Sequence, residues 1–278
     1  MIQLSTLLLL LFALPLTAEE TLSEVKSIRD LDYYKGEGYD KKKHKLNLFL
    51  PKDKKNFPVL FFVHGGGWAS GDRNFLGIYS RIGRFFAERG IGSVVISYRL
   101  SPKVKHPGHI EDVARAFAWT HKNIKKHGGD PKKIFISGHS AGGHLVALLA
   151  TNEKYLKKEG LSTDTIKGVL PVSGVYALPG KSIEFALTED RKVRDSAAPI
   201  KHVRKGLPPF LILYADNDFP MCGKVTSEAF KKALLTKDVK AKSVEIVKHS
   251  HITILLSIPK KDTAISNAML KFINEHAK

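Results

Sequence analysis

The sequence predicts an α/β fold, with strands alternating with helices in one mostly parallel sheet covered on both faces. Two observations carry that expectation. Short runs rich in β-branched and aromatic residues recur along the chain, several of them continuously apolar, as strands buried on both sides are. Segments with helical spacing separate them, and that alternation implies crossover connections and parallel pairing.

HKLNLFLP (44–51) alternates polar and apolar residues, as a half-buried strand does. FPVLFFVH (57–64) is a continuous apolar run that ends in HGGG, a buried strand entering a tight loop. NFLGIYSRIGRFFAERG (74–90) has helical spacing with Gly90 as its stop, and IGSVVISY (91–98) is the next strand. HIEDVARAFAWTHKNIKKHGGD (109–130) reads as an amphipathic helix closed by two glycines. KIFISG (133–138) is a strand, SAGGHLVALLATN (140–152) a helix, and IKGVLPVSG (166–174) another buried strand. Residues 175–208 are Pro-punctuated without a strong period and read as a short lid segment. FLILYA (210–215), a helix over 225–237, KSVEIVKH (242–249) and a closing helix over 262–276 complete the pattern.

The chain has 278 residues, 43% hydrophobic and 26% charged, enough for a sizeable core without disulfides. No linker, low-complexity tract or internal repeat interrupts it, so residues 19–278 are expected to form one domain. MIQLSTLLLLLFALPLTA (1–18) has the apolar run and small-residue end of a secretion signal, although no Lys or Arg precedes the run. Export to a secreted or periplasmic location is the expectation, with no stable membrane insertion after cleavage. The single cysteine, Cys222, excludes an intramolecular disulfide, and its surroundings suggest a packed thiol rather than a catalytic one. The formal charge is +18, with lysine clusters dispersed along the chain. Dispersion suggests a solvated surface, and no basic motif with interleaved aromatics points to nucleic acid.

Two motifs carry chemistry. GHSAG (138–142) fits G-x-S-x-G, a sharp strand-to-helix turn in which side chains at 138 and 142 would collide with strand and helix. Ser140 is either a nucleophile there or the N-cap of the following helix. HGGGWASGD (64–72) follows another buried strand. Three consecutive glycines cost backbone entropy but let main-chain N–H groups face a developing oxyanion. Gly66 and Gly67 are the donors expected from this loop, with the N–H of Ala141 as the third. His64 is expected to orient the loop, and Trp68 either lines a substrate pocket or acts as a packing wedge. No P-loop, HExxH or paired CxxC occurs, and HPGH (106–109) is too little for a zinc site, so no cofactor or metal is expected.

HGGGW, SYRL (97–100) and GHSAGG, in that order, resemble the α/β-hydrolase esterases of the hormone-sensitive-lipase-like kind. Among these the chain is most similar to the feruloyl-esterase-like and arylformamidase-like branch, over residues 40–275. The resemblance implies an eight-stranded, mostly parallel sheet and a Ser–acid–His triad in that chain order. It places the acid within FLILYADNDFP (210–220), where Asp218 is favoured over Asp216, a turn residue capping its own backbone. It places the histidine within KHSHIT (248–253), where His251 is favoured over His249, although Ser250 stands where the family usually has an acid. His139 and His144 are then packing or surface residues, and Asp112 and Arg115 structural partners.

The function implied is that of a secreted serine carboxylesterase acting on short-acyl or aryl esters through an acyl-enzyme, with ester groups on polysaccharide as one substrate. An amide hydrolase of the arylformamidase or peptidase type would use the same machinery. From a different class, a hydrolase-like module that only binds would have lost the nucleophile or the histidine.

Overall fold

The computed structural model describes residues 22–178 and 190–278. The signal-like segment and the middle of the lid segment therefore lie outside the described residues. The strands are β1 (Val25–Asp32), β2 (Lys45–Pro51), β3 (Phe57–Val63), β4 (Gly92–Ile96), β5 (Gly129–His139), β6 (Gly168–Val172), β7 (Phe210–Asn217) and β8 (Ala241–Ser250). The helices are α1 (Ile78–Glu88), α2 (Gly108–Asn123), α3 (Ala141–Thr151), α4 (Lys154–Lys158), α5 (Arg191–Ala197), α6 (Lys224–Leu235), α7 (His251–Ser257) and α8 (Ala264–His276).

One eight-stranded sheet has the order β1-β2-β4-β3-β5-β6-β7-β8. β2 is antiparallel to both β1 and β4, and every other neighbouring pair is parallel. This is the α/β-hydrolase architecture, with its helices on both faces. Successive β3 residues serve the two faces in turn. Val59, Phe61 and Val63 share a core with Phe117 of α2, Leu145 of α3 and Phe230 of α6. Leu60 and Phe62 share the other with Phe86 of α1 and with Met269 and Phe272 of α8. A strand buried on both sides cannot alternate polar with apolar, which is why FPVLFFV is apolar throughout.

Four features depart from the sequence reading. β1 has no counterpart there, because an edge strand with one neighbour keeps charges on both faces and shows no apolar period; a register shift between Ile28 and Leu31 disturbs it further. The helix expected over 74–90 is broken: a 3₁₀ turn, Phe75–Gly77, precedes α1, with Leu76 and Gly77 both at positive φ. The helix expected over 109–130 ends at Asn123, and Gly129 already pairs with Phe57 in the sheet. The short helices α4, α5 and α7 are also additions, each too brief for a period to register.

Chain connections diverge at the β3/β5 pair, β3 leading to β4 on one side and β5 to β6 on the other. Such a switch point opens a crevice at the carboxyl ends of the strands. The loops after β3, β5, β6, β7 and β8, adjacent in space, all open onto that edge.

Candidate active site

Ser140 occupies the N-cap position of α3, yet its side chain makes no capping hydrogen bond. Its backbone sits at φ 57°, ψ −120°, a conformation that costs energy for any residue with a Cβ. The turn is held by close approach. A Cβ on Gly142 would lie 2.1 Å from the Val63 carbonyl oxygen, and one on Gly138 would lie 2.6 Å from the Gly142 backbone. The collision expected from the pentapeptide is therefore real: β3, β5 and α3 meet where only glycine fits. Ser140 N–H donates to the Val172 carbonyl at 2.9 Å, tying the turn to β6.

His251 is the first residue of α7, behind Ser250. Ser250 and Thr253 form a reciprocal capping box, with Ser250 N–H donating to Thr253 Oγ1 at 2.7 Å. A serine in the place of the acid thus starts the helix that carries the histidine. His251 Nδ1 lies 2.6 Å from Asp218 Oδ1, and the Asp218 side chain is fully buried. The other carboxylate oxygen accepts from Ser173 Oγ at 2.6 Å and from the Ala215 N–H at 3.1 Å. Burial opposes ionisation of Asp218, but the bonds from His251, Ser173 and Ala215 outweigh it and lower its pKa. With Asp218 an anion, the His251 proton is held on Nδ1 and the Nε2 lone pair is free to take another.

The alternatives separate cleanly. Asp216 is exposed, and its carboxylate accepts from the Lys248 and His249 N–H groups at 2.8 and 2.9 Å. Those bonds lower its pKa and clasp the end of β7 to the end of β8, so it does more than cap its own turn. His249 stays outside the pairing, its Nδ1 facing the Val247 carbonyl at 2.9 Å.

The glycine loop narrows its own donors. Gly65 N–H donates to the Tyr79 hydroxyl at 3.1 Å, and Gly66 and Gly67 stay the candidate oxyanion donors. Gly66 has φ 108°, and a Cβ there would lie 2.2 Å from the Ser70 carbonyl oxygen. His64 is buried and stacks on Tyr98 of SYRL with centroids 4.4 Å apart. Its Nδ1–H donates to the Gly65 carbonyl at 2.7 Å, and burial lowers its pKa to about 4. His64 therefore fixes loop shape. Beyond the glycines, Arg73 is buried and ion-paired with Asp30 of β1, and its N–H donates to Ser97 Oγ at 3.0 Å. Arg99 of SYRL holds Asp112 through Nε and Nη2 at 2.8 and 2.7 Å, with Arg115 on the same carboxylate at 3.1 Å. That network is structural, as expected.

Ser140, His251, Gly66, Gly67 and Trp68 all line one cavity of about 710 Å³, whose walls also include Phe75, Tyr79, Val175, Phe219 and Leu255. Ala141 is absent from that lining but follows Ser140 directly as the first residue of α3. Trp68 lines the cavity and is also a buried wedge, its Nε1–H donating to His144 Nδ1 at 3.1 Å. Cys222 also lines the cavity, within 4.8 Å of the Asp218 and His251 ligand atoms. Burial and the nearby Asp218 charge push its thiol up to about 12, which makes it a poor nucleophile.

The sequence reading missed Ser173 and the work of two histidines. Ser173 follows β6 at φ 47°, in a segment read only as the end of a strand. His139 and His144 are buried, and each bonds a distant backbone carbonyl. The signal available for Ser173 was the VSG that closes an apolar run; for the histidines there was none beyond adjacency to Ser140.

Residues 46–234 match the BD-FAE family model. The chain belongs to the BD-FAE family. It is 33% identical to esterase LipQ of Mycobacterium tuberculosis over 233 residues, covering 78% of this chain and 55% of LipQ. A shorter stretch, 111 residues, is 45% identical to the arylacetamide deacetylase of Bos taurus, covering 38% of this chain and 27% of that protein. The chain spans about half the length of the curated relatives it matches first. Among solved structures, a truncated carbohydrate esterase from gut microbiota superposes with a TM-score of 0.76 at 22% identity, covering 94% of this chain and 98% of that one. At that identity the likeness speaks for the fold.

Proposed function

We propose that this chain is a serine hydrolase that cleaves carboxylic esters through an acyl-enzyme. Ser140 Oγ attacks the ester carbonyl while His251 Nε2 takes its proton. Asp218, bonded to Nδ1, fixes the tautomer and stabilises the imidazolium. The N–H groups of Gly66, Gly67 and Ala141 receive the oxyanion, and His251 returns the proton to the leaving alcohol. Water, deprotonated by the same imidazole, then releases the acid and restores Ser140. The observation that carries this reading is the 2.6 Å Asp218–His251 pair opening onto the same cavity as a strained, uncapped Ser140. The name of LipQ, an esterase, supports the bond type.

The substrates we propose are short-acyl or aryl esters, including ester groups carried on polysaccharide. The aromatic walls of the cavity, Phe75, Tyr79 and Phe219, favour an aryl or compact acyl group. The name of the gut carbohydrate esterase agrees with a carbohydrate-linked alcohol. The apolar run in residues 1–18 supports export to a secreted or periplasmic location. The name of arylacetamide deacetylase favours a second reading, an aryl amide as the scissile bond.

A hydrolysis panel decides among these. Methyl ferulate, acetylated xylan, p-nitrophenyl acetate and decanoate, and N-formylkynurenine are offered to the purified protein. Cleavage of the first three, with acetate far faster than decanoate, is expected. Preference for N-formylkynurenine over every ester moves the assignment to amides, and no turnover of any substrate leaves a binding module.

A further inference from the structure

We infer that His144 is a positioning residue, tying the oxyanion loop to the nucleophile helix and to the returning arm of the lid segment. The inference rests on the serine-hydrolase reading and adds to it a residue with no part in the chemistry itself.

His144 lies one turn beyond the nucleophile on α3, and its N–H donates to the Ser140 carbonyl at 2.9 Å. Its side chain is fully buried, and both ring nitrogens are engaged. Nδ1 accepts the Trp68 Nε1–H at 3.1 Å, with the two rings edge to face. Nε2–H donates to the Ala197 carbonyl, at the end of α5, at 2.8 Å. An indole N–H is only a donor and a carbonyl only an acceptor, so the group between them must accept on one side and donate on the other. A neutral imidazole does so in a rigid ring, and burial, which lowers its pKa to about 4, keeps it neutral.

The loop needs such a tether. Gly65 is held by Tyr79, and Gly66 by close packing on Ser70. Gly67 has open space around it, with nothing within 4 Å of where a Cβ would stand. The next fixed point is Trp68, held by its own carbonyl, which accepts the Ser101 N–H at 2.9 Å, and by the indole on His144. Releasing the indole lets the Gly67 N–H drift from the place where the oxyanion forms. That weakens the transition state more than the bound ester, whose carbonyl carries less charge.

The test measures kcat, KM and thermal midpoint for His144→Leu, His144→Gln, Trp68→Phe and the Trp68→Phe/His144→Leu pair, using p-nitrophenyl acetate. Leucine removes both bonds and should lower kcat about 10- to 100-fold, because small misplacements of catalytic groups cost factors of that order. KM should change less than about twofold, the pattern of an interaction made in the transition state. Glutamine offers an acceptor and a donor and should recover most of kcat. Once the indole donor is gone, His144→Leu should add little.

A folded His144→Leu enzyme with normal kcat, an effect confined to KM, or a full His144→Leu loss both with and without the Trp68→Phe change overturns the inference. If His144→Leu does not fold, Trp68→Phe decides alone, since it removes the same bond with His144 in place, and normal kcat there is the overturning result. Ser140→Ala is run alongside: retained turnover in that variant refutes the hydrolase reading itself, independently of His144.

Discussion

His139 donates its Nε2–H to the main-chain carbonyl of His251 at 2.7 Å, and the two imidazoles lie against each other with centroids 4.6 Å apart. Phe219 also packs on His251, at 4.4 Å. The residue before Ser140 thus holds the backbone of His251, the proposed general base. Burial lowers the His139 pKa to about 3, so this donor stays neutral beside the ring that the proposed mechanism protonates in each cycle.

Replacing Ser140 with Ala removes the proposed nucleophile and nothing that holds the turn, since the hydroxyl makes no cap. kcat should fall roughly 10⁴- to 10⁶-fold with the thermal midpoint preserved. Turnover within tenfold of wild type in a stopped assay with p-nitrophenyl acetate rejects the assignment.

Asp216 and Asp218 should separate in a paired comparison. Asp218→Asn leaves His251 with the wrong tautomer and should lower kcat by about 10⁴. Asp216→Asn weakens the clasp between β7 and β8, so the thermal midpoint falls while kcat changes little. Equal kinetic losses in the two variants contradict the geometry.

Ser173→Ala deletes one of the bonds that keep Asp218 ionised. A hydrogen bond to a charged group contributes about 1.5–3 kcal/mol to stability, so the thermal midpoint should fall, and kcat with it as Asp218 is less firmly held. The sign with pH follows from Asp218, whose pKa is lowered in the fold. Its stabilisation is present above the unfolded value and is lost as pH falls through the folded one. Without Ser173 that acid limb should move to higher pH, and an unmoved limb counts against the role given to this hydroxyl.

Five histidines, His64, His106, His109, His139 and His144, have pKa values lowered by burial to about 3 or 4. The unfolded chain protonates them near pH 6.5, so the stability they contribute is complete above that value and drains away as pH falls toward 4. All five shifts act in the same direction, so the fold should lose stability in acid. Urea titrations at pH 7, 6 and 5 should show a steeply falling midpoint, and a flat series would falsify the neutral-histidine account.

Gly142→Ala forces a Cβ onto the Val63 carbonyl and should cost about 3 kcal/mol or more, if the protein folds at all. Gly67→Ala meets open space and loses only what its positive φ costs, about 1–2 kcal/mol. Chemical denaturation of both variants checks the order, and a Gly67 variant less stable than the Gly142 one contradicts it.

The family resemblance implied the chain order of the candidate triad; the sequence by itself determined the alternation of strands and helices, the elbow and the glycine loop. Those are local matters: period, turn sterics and the need for residues without side chains are written into neighbouring positions. FPVLFFVHGGG and FISGHSAGG each specify a buried strand and the turn that ends it. β1 escaped because a charged edge strand carries no apolar period to read.

The tertiary structure decided what neighbours in sequence cannot: that Asp218 rather than Asp216 meets His251, that Ser173 supports it, and that His139 and His144 each brace a different wall of the site. The reason is distance along the chain. Ser173 and Asp218 are 45 positions apart, Trp68 and His144 76, and His139 and His251 112, so only the order of strands in the sheet brings each pair within a hydrogen bond.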